Sequence, residues 1–263
     1  MRLASAGDPF FYMGLIYASF PVNALLYAWN DLGDGALDRT NPRKGPYLLG
    51  AVYANEEQVR QVFLAALGLN LGILLFFAVV CGPVLIGIWW AAACATNYTY
   101  NNYPRWREGP PPLDFVGPLG YILLIPFAAI VNGLEFPSLS TLLFHIFMVL
   151  RSQLWGQIID LGPDARAQRQ TTAVALGIRG ARGLLVLLQL CELFVAIYGV
   201  QNTYVEAFSA LSMATALLEF FVYPNRAPSL HEAALTGALM TPAAAVLLLH
   251  VLFTPAGESA PFT

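Results

Sequence analysis

The stretch AWNDLGDGALDRTNPRKG, residues 28–45, gathers Asp31, Asp34, Asp38, Arg39, Arg43 and Lys44 directly behind a mostly apolar run. In a chain with little charge to spend, such a cluster has two readings. One is a capped helix end running into a solvated loop. The other is a binding site built where a helix leaves an apolar layer. The choice depends on what surrounds the stretch and on whether anything else in the chain resembles it.

The surroundings are those of a membrane protein. Of 263 residues, 57% are hydrophobic and 11% charged, against about 25% charged in soluble domains. Mean hydropathy is +0.60, and the apolar runs are long enough to cross a hydrocarbon layer as helices. The net charge of −3 points to no partner class, and no nucleic-acid partner is expected. Cys81, Cys94 and Cys191 lie in apolar runs without metal-ligand spacing and read as small core residues. The first nine residues, MRLASAGDP, are too short and polar to serve as a signal peptide for residues 10–29.

Membrane-length segments are predicted at 9–31, 60–81, 84–103, 114–134, 138–160, 182–201, 203–223 and 232–253. The expected fold is therefore all-α, a polytopic transmembrane bundle of eight spans forming one intramembrane domain over 1–263. Pro83, Pro137 and Pro224 fall at boundaries, where proline ends helices cheaply. If residues 32–59 face the cytoplasm, alternation puts 104–113, 161–181 and 224–231 on the same side. Arg39, Arg43, Lys44, Arg60, Arg105, Arg107, Arg166, Arg169, Arg179, Arg182 and Arg226 then lie on or beside that face, while the opposite loops carry no Lys or Arg. Arg2 is the exception, and Arg151 falls inside a span.

Asp31, Asp34 and Asp38 are spaced three and four apart, so on a continuing helix they share a face, with Asn30 one turn from Asp34. Three carboxylates so placed favour a bound cation. Mg²⁺ takes one or two carboxylates and completes its shell with water and phosphate oxygens. Arg43 and Lys44 suit the same phosphate. A second cluster, QIIDLGPDARAQRQTTAVALG at 157–177, repeats the order: Asp160 and Asp164 four apart, then Arg166 and Arg169. Two acid-then-base clusters predicted at one membrane face are what a Mg-diphosphate complex needs, carboxylates for the metal and bases for the departing charge.

NDLGDGALDRTNPRKG resembles the NDxxDxxxD motif of the UbiA superfamily of intramembrane prenyltransferases. DLGPD with its trailing TTAVALG resembles that superfamily's second motif, DxxxD followed by Thr and Gly. The 130 residues between Asp34 and Asp164 also fit. DRTNPRKG and the second motif are most similar to the lycopene elongase branch, which acts on carotenoids. The resemblance implies nine helices, with the first absent here, and a cytoplasm-facing polar cap over a cavity open to lipid. It also implies Mg²⁺-dependent prenyl transfer. The family's Tyr-Ser-x-Pro-Pro-x-Arg-x-Lys element aligns with YNNYPRWREGPPPLD, 100–114, through Tyr100, Pro104 and Asp114. There the usual Arg and Lys become Trp106 and Glu108, with Arg105 and Arg107 one residue off, and Gln168 stands where a glycine is common.

On this reading Asn30, Asp31, Asp34, Asp38, Asp160 and Asp164 are the catalytic set, and the five aspartates hold Mg²⁺. Arg43, Lys44, Tyr100, Arg105, Arg107, Asp114, Arg166 and Arg169 are expected to contact substrate. The partners implied are an isoprenoid diphosphate, a hydrophobic acceptor such as a carotenoid, and the bilayer. Asn97, Asn101 and Asn102 either line the pocket with their neighbouring tyrosines or belong to an interfacial belt. Arg151 either reaches the second cluster or pairs with a nearby acid. Glu192, Glu219, His145 and His250 are expected to be paired or near an interface.

Three rival enzymes and one other class remain. A terpene cyclase would use the same clusters, and an aromatic or quinone prenyltransferase would differ in acceptor. A CDP-alcohol phosphotransferase shares DGALDR superficially but needs a GxxxDxxxD continuation that is missing. The other class is a transporter or inactive scaffold.

Overall fold

The computed structural model describes residues 9–38, 55–102, 109–229 and 231–241, the side chains of 34–38 excepted. Every regular element among them is helical. Six helices are long and apolar enough to cross a membrane: Pro9–Gly33, Glu56–Cys81, Leu113–Asn132, Leu139–Arg166, Thr172–Val200 and Thr203–Val222. They match six of the eight expected spans. The expected span 84–103 is the helix Pro83–Asn101. Residues 231–241 begin the last one, and 242–253 lie outside the described residues. Large apolar side chains cover the outer surfaces, Val79 at 79%, Phe221 at 73% and Phe20 at 69% exposed. A water-soluble monomer rarely exposes so much apolar area, and lipid is the solvent that suits it. The protein is an integral membrane protein.

The described chain divides into two compact units. Unit 1 contains α1 (Pro9–Tyr17), α2 (Asn23–Asp38), α3 (Glu56–Cys81) and α4 (Pro83–Asn101), with residues 126–134. Pro21 interrupts the first span: it lacks an N–H and crowds the preceding turn, so Ala18–Val22 widens into a π turn. The carbonyls this affects are satisfied by side chains. Asn23 Nδ2 donates to Ala18 O and Ser19 O, and the fully buried Asn70 donates to Pro21 O at 2.8 Å. The α3 helix starts earlier than its apolar run because Asn55 and Gln58 form a capping box. Gly82 (φ 108°) turns the chain and Pro83 starts α4. The core is aromatic: Phe127 packs on Tyr17, Phe77 and Trp89 with centroids 5.3, 5.5 and 4.5 Å away.

Unit 2 contains residues 109–125 and everything from Glu135 on that is described. The segment Leu113–Asn132, which includes α5 (Val116–Leu119) and α6 (Leu124–Asn132), is shared between the units. The body of unit 2 is α7 (Leu139–Arg166), α8 (Thr172–Val195) and α9 (Thr203–Val222), followed by α10 over 231–241. Only Gln201 and Asn202 separate the π turn closing α8 from α9, so the pair is an antiparallel hairpin. At the opposite end of α8, Gly177 adopts φ 65°, ψ 170° and breaks the helix after one turn. That region is open essentially to glycine alone. At Gly199 a Cβ would sit 2.7 Å from Ser140 Cβ, so glycine lets the end of α8 meet the start of α7.

The interior of unit 2 is a ladder of polar pairs. Glu192 accepts from Ser209 at 3.3 Å, Gln189 donates to Ser212 at 3.0 Å, and Arg182 pairs with Glu219 at 3.4 Å. Each step of three or seven residues back along α8 is matched by an equal step forward along α9. This is a heptad-like seam whose register is set by hydrogen bonds. Arg151 of α7 donates through Nε to Glu192 and stands 5.6 Å from the centre of the Phe208 ring. Trp155 and Thr236 both donate to Glu219, at 3.3 and 3.0 Å. Arg151 therefore pairs with a nearby acid, and Glu192 and Glu219 are both paired. His145 is bonded back to Thr141 O at 2.7 Å.

The turn after α9 is equally tied. Arg182 donates to Arg226 O at 2.9 Å, and Arg226 forks onto Glu232 at 2.6 and 2.7 Å. Ser229 and Glu232 form the capping box that starts α10. Hydrogen bonding to Glu232 raises the Arg226 pKa above its ordinary value.

Candidate functional site

The second motif occupies the last two turns of α7. Asp160 and Asp164 are one turn apart on that helix, Asp160 half-buried and Asp164 only 5% exposed. Arg169 Nη1 lies 3.5 Å from Asp164 Oδ1, and the Arg169 N–H closes the turn onto Asp164 O at 3.0 Å. Arg166 is exposed in the same turn. The chain reverses at Gln168, which takes a left-handed φ of 58°. This explains why glycine suits that position: a side chain there costs about 1 kcal/mol.

What fixes this end of the helix is Asp114. Its carboxylate is fully buried and accepts from Thr172 N at 2.6 Å, Thr172 Oγ1 at 3.0 Å and Gln157 Nε2 at 2.8 Å. Gln157 Oε1 in turn accepts from Ala173 N at 3.1 Å. Two orphan donors at the start of α8 are thereby satisfied, Ala173 N–H by the Gln157 amide oxygen and Thr172 N–H by a carboxylate placed where the helix dipole favours negative charge. Asp114, expected to contact substrate, locks the 113–115 turn and α7 to the first turn of α8. The Thr pair trailing the second motif has a physical reason: Thr172 supplies two of the three donors.

We expect Asp114→Ala to destabilise the protein by about 3 kcal/mol, because three buried donors lose their acceptor. Asp114→Asn recovers little, since its amide must set an NH₂ against donors. Thermal melts in detergent check this. A melting temperature within 2 °C of the parent, with turnover lost, would restore the substrate-contact role.

The first motif lies at the end of α2, in unit 1. Asn30 and Asp31 are half-buried, and the helical backbone continues through Asp34 to Asp38. Helical periodicity therefore puts Asp31, Asp34 and Asp38 on one face. Trp29, beside the motif, donates to Asn102 Oδ1 at 2.6 Å and packs edge-on to Phe63 at 5.7 Å. Asn102 is thus an anchor for α2, and Asn97 is bonded back to Ala93 O. Tyr100 is half-buried in the last turn of α4. Arg43, Lys44, Arg105 and Arg107 lie outside the described residues, as do the side chains of Asp34 and Asp38.

Among the described residues no three His, Cys, Asp or Glu side chains gather as a metal site. The donor set in unit 2 is two carboxylates one turn apart with arginines beside them. Such a set suits a hard cation that takes its remaining oxygens from phosphate and water, and it does not suit a self-sufficient protein cage. Gln157 and Thr172 escaped the sequence reading because neither is charged. The only signal was the TTA that follows the second motif.

The fold is that of the UbiA homologues: one from Archaeoglobus fulgidus, bound to GPP and Mg²⁺, aligns with a TM-score of 0.67 and 17% identity over 93% of this chain and 87% of its own. In sequence, the chain is similar to lycopene elongase/hydratases. The protein of that name from Corynebacterium glutamicum is 24% identical over 72% of this chain and 66% of its own length. The one from Haloferax volcanii is 32% identical over 62% of this chain and 52% of its own. The chain thus spans between about half and two thirds of the length of these curated relatives. No family model matches it. The expected resemblance to the UbiA superfamily, and to its lycopene elongase branch, is borne out.

Proposed function

We propose that this protein is a Mg²⁺-dependent intramembrane prenyltransferase that moves a prenyl group from an allylic diphosphate to a hydrophobic acceptor of carotenoid type. The observation that carries the reading is Asp164. It is a carboxylate 5% exposed at the end of a membrane-length helix, one turn from Asp160 and beside Arg169. A UbiA-fold neighbour that binds GPP and Mg²⁺ supports it, and the name shared by the sequence relatives supports the acceptor class.

In this reading Asn30, Asp31, Asp34 and Asp38 with Asp160 and Asp164 orient Mg²⁺ and the diphosphate. Arg166 and Arg169, with Arg43 and Lys44, take up phosphate charge, and Tyr100, Arg105 and Arg107 assist them. Mg²⁺ held by these carboxylates would supply Lewis-acid stabilisation of the leaving diphosphate. The side chains of the chain must then hold the leaving diphosphate, keep water from the allylic cation, and present the acceptor's double bond. The clusters face the cytoplasm in this reading, which the distribution of basic residues supports.

The test is purified protein in nanodiscs with dimethylallyl or geranyl diphosphate, Mg²⁺ and lycopene. We expect diphosphate release coupled to a product heavier by one prenyl unit. A cyclic hydrocarbon formed without acceptor identifies a cyclase instead. No turnover with either diphosphate, while a partner enzyme is still stimulated, identifies a scaffold.

A further inference from the structure

A cavity of about 470 Å³ lies within unit 2 among α7, α8, α9 and α10, inside the range of small-molecule sites, about 300–1,000 Å³. Arg151, Ser152, Trp155 and Gly156 line it from α7. Asp160 and Asp164 sit roughly 110° and 150° around that helix from the middle of this set, at ~100° per residue. The cavity therefore opens on a different face of α7 from the second motif.

Most donors in its wall are spent inside the protein. Trp155 Nε1 and Thr236 Oγ1 donate to Glu219. Ser152 Oγ donates to Met148 O, Thr215 Oγ1 to Ser212 O, and Gln189 Nε2 to Ser212 Oγ. Arg151 differs. Its Nε donates to Glu192, while Nη1 and Nη2 bond to no group of the described residues, and neither is closed off by surrounding atoms. Arg151 stands near the middle of α7, a membrane-length helix, where bulk water is absent and unspent guanidinium donors call for an acceptor in the cavity.

The kind of acceptor follows from the rest of the wall. Arg151 is matched in charge by Glu192, and Glu219 by Arg182, so there is no net charge to draw an anion. The lining carboxylate of Glu219 already accepts from Trp155, Thr236 and Arg182, which leaves little for a ligand that must donate. A carbonyl oxygen accepts from the NH₂ groups of the fork and has no proton to place. Leu185, Ala216 and Met240 give apolar wall, and Gly156 and Gly237 have open space where a Cβ would be.

We propose that this cavity binds a neutral, membrane-soluble ketone, with its carbonyl oxygen on the Arg151 NH₂ groups and its apolar chain along Leu185, Ala216 and Met240. The site does not rest on the transferase reading, because binding alone reports it.

The experiment measures saturable binding of radiolabelled geranylacetone, an isoprenoid ketone, to the full chain in nanodiscs, with excess unlabelled ketone defining partition into lipid. The C=O stretch of the bound ketone is expected at lower wavenumber than in lipid, because the oxygen accepts from a cation. Arg151→Lys keeps a charge opposite Glu192 but loses the fork. It is expected to weaken binding about tenfold and to cancel the shift. Gly156→Leu is expected to abolish binding by filling the cavity. Leucine outranks glycine in a helix interior, and an unchanged melt verifies that this variant folds. The matching hydrocarbon, lacking the oxygen, does not compete. The proposal is overturned if no saturable binding occurs, leaving the cavity to water. It is equally overturned if Arg151→Lys binds as tightly with the same C=O stretch, or if the hydrocarbon competes as well as the ketone.

Discussion

Asp164→Ala is expected to lower Mg²⁺-dependent consumption of an allylic diphosphate by about a thousandfold, the upper range for removing one preorganised electrostatic group. Asp34→Ala is expected to do the same from the other cluster. The reason for so large an expected loss is that, on the proposed reading, the carboxylate holds the cation that would stabilise the departing diphosphate, and water is poorly able to replace the carboxylate in an apolar surround. Asp164 is 5% exposed and lies 3.5 Å from Arg169, so a thermal melt of each variant separates loss of chemistry from loss of fold. Asp164→Asn preserves shape and removes charge, and should be equally inactive. Either variant retaining a third of parental turnover would remove Asp164 from the site. The measurement is diphosphate release at saturating Mg²⁺, paired with a thermal melt of each variant.

A stability effect as large as that at Asp114 is expected at Glu219. Glu219→Leu leaves Arg182, which is 1% exposed, donating to the Arg226 backbone carbonyl at 2.9 Å without the carboxylate that matched its charge. It also removes the acceptor for Trp155 and Thr236. Neutral hydrogen bonds between membrane helices average only about 0.6 kcal/mol. A stranded charge weighs more, about 3 kcal/mol on insertion scales. Breaking a buried pair by removing one partner costs a similar 3–5 kcal/mol. The charge decides, and a loss of about 3 kcal/mol is expected. Arg182→Met combined with Glu219→Leu should recover at least half, because the stranded cation is gone. Reversible unfolding in mixed micelles measures both, and equal stability of single and double variants would show that the pair is not the source.

Much of the site was legible in the sequence because it is written in charge. In an apolar chain each aspartate is conspicuous, and spacings of three and four residues translate directly into one helix face, as the backbone of α2 and the last turns of α7 bear out. The span 84–103 was legible for the same reason, as a long apolar run between breakers. The starts of α3 and α8 were read several residues late, since apolarity marks where lipid begins and not where hydrogen bonding begins. Asn55 and Gln58 cap α3 outside its apolar run, and Asp114 caps α8 from 58 residues away.

By itself the sequence determined the solvent, the helices and the two carboxylate clusters, because hydropathy and period depend only on neighbours along the chain. Only the tertiary structure decided which polar groups are spent on holding the fold. Asp114 and Asp164 look alike in the chain, yet one has its oxygens occupied by Thr172 and Gln157 while the other sits beside a distant arginine at a helix end. Likewise the pairing of Arg182 with Glu219, of Arg151 with Glu192, and the unmatched oxygen of Gln189 follow from the register of α8 on α9. That register is a property of two helices together, and no local spacing contains it.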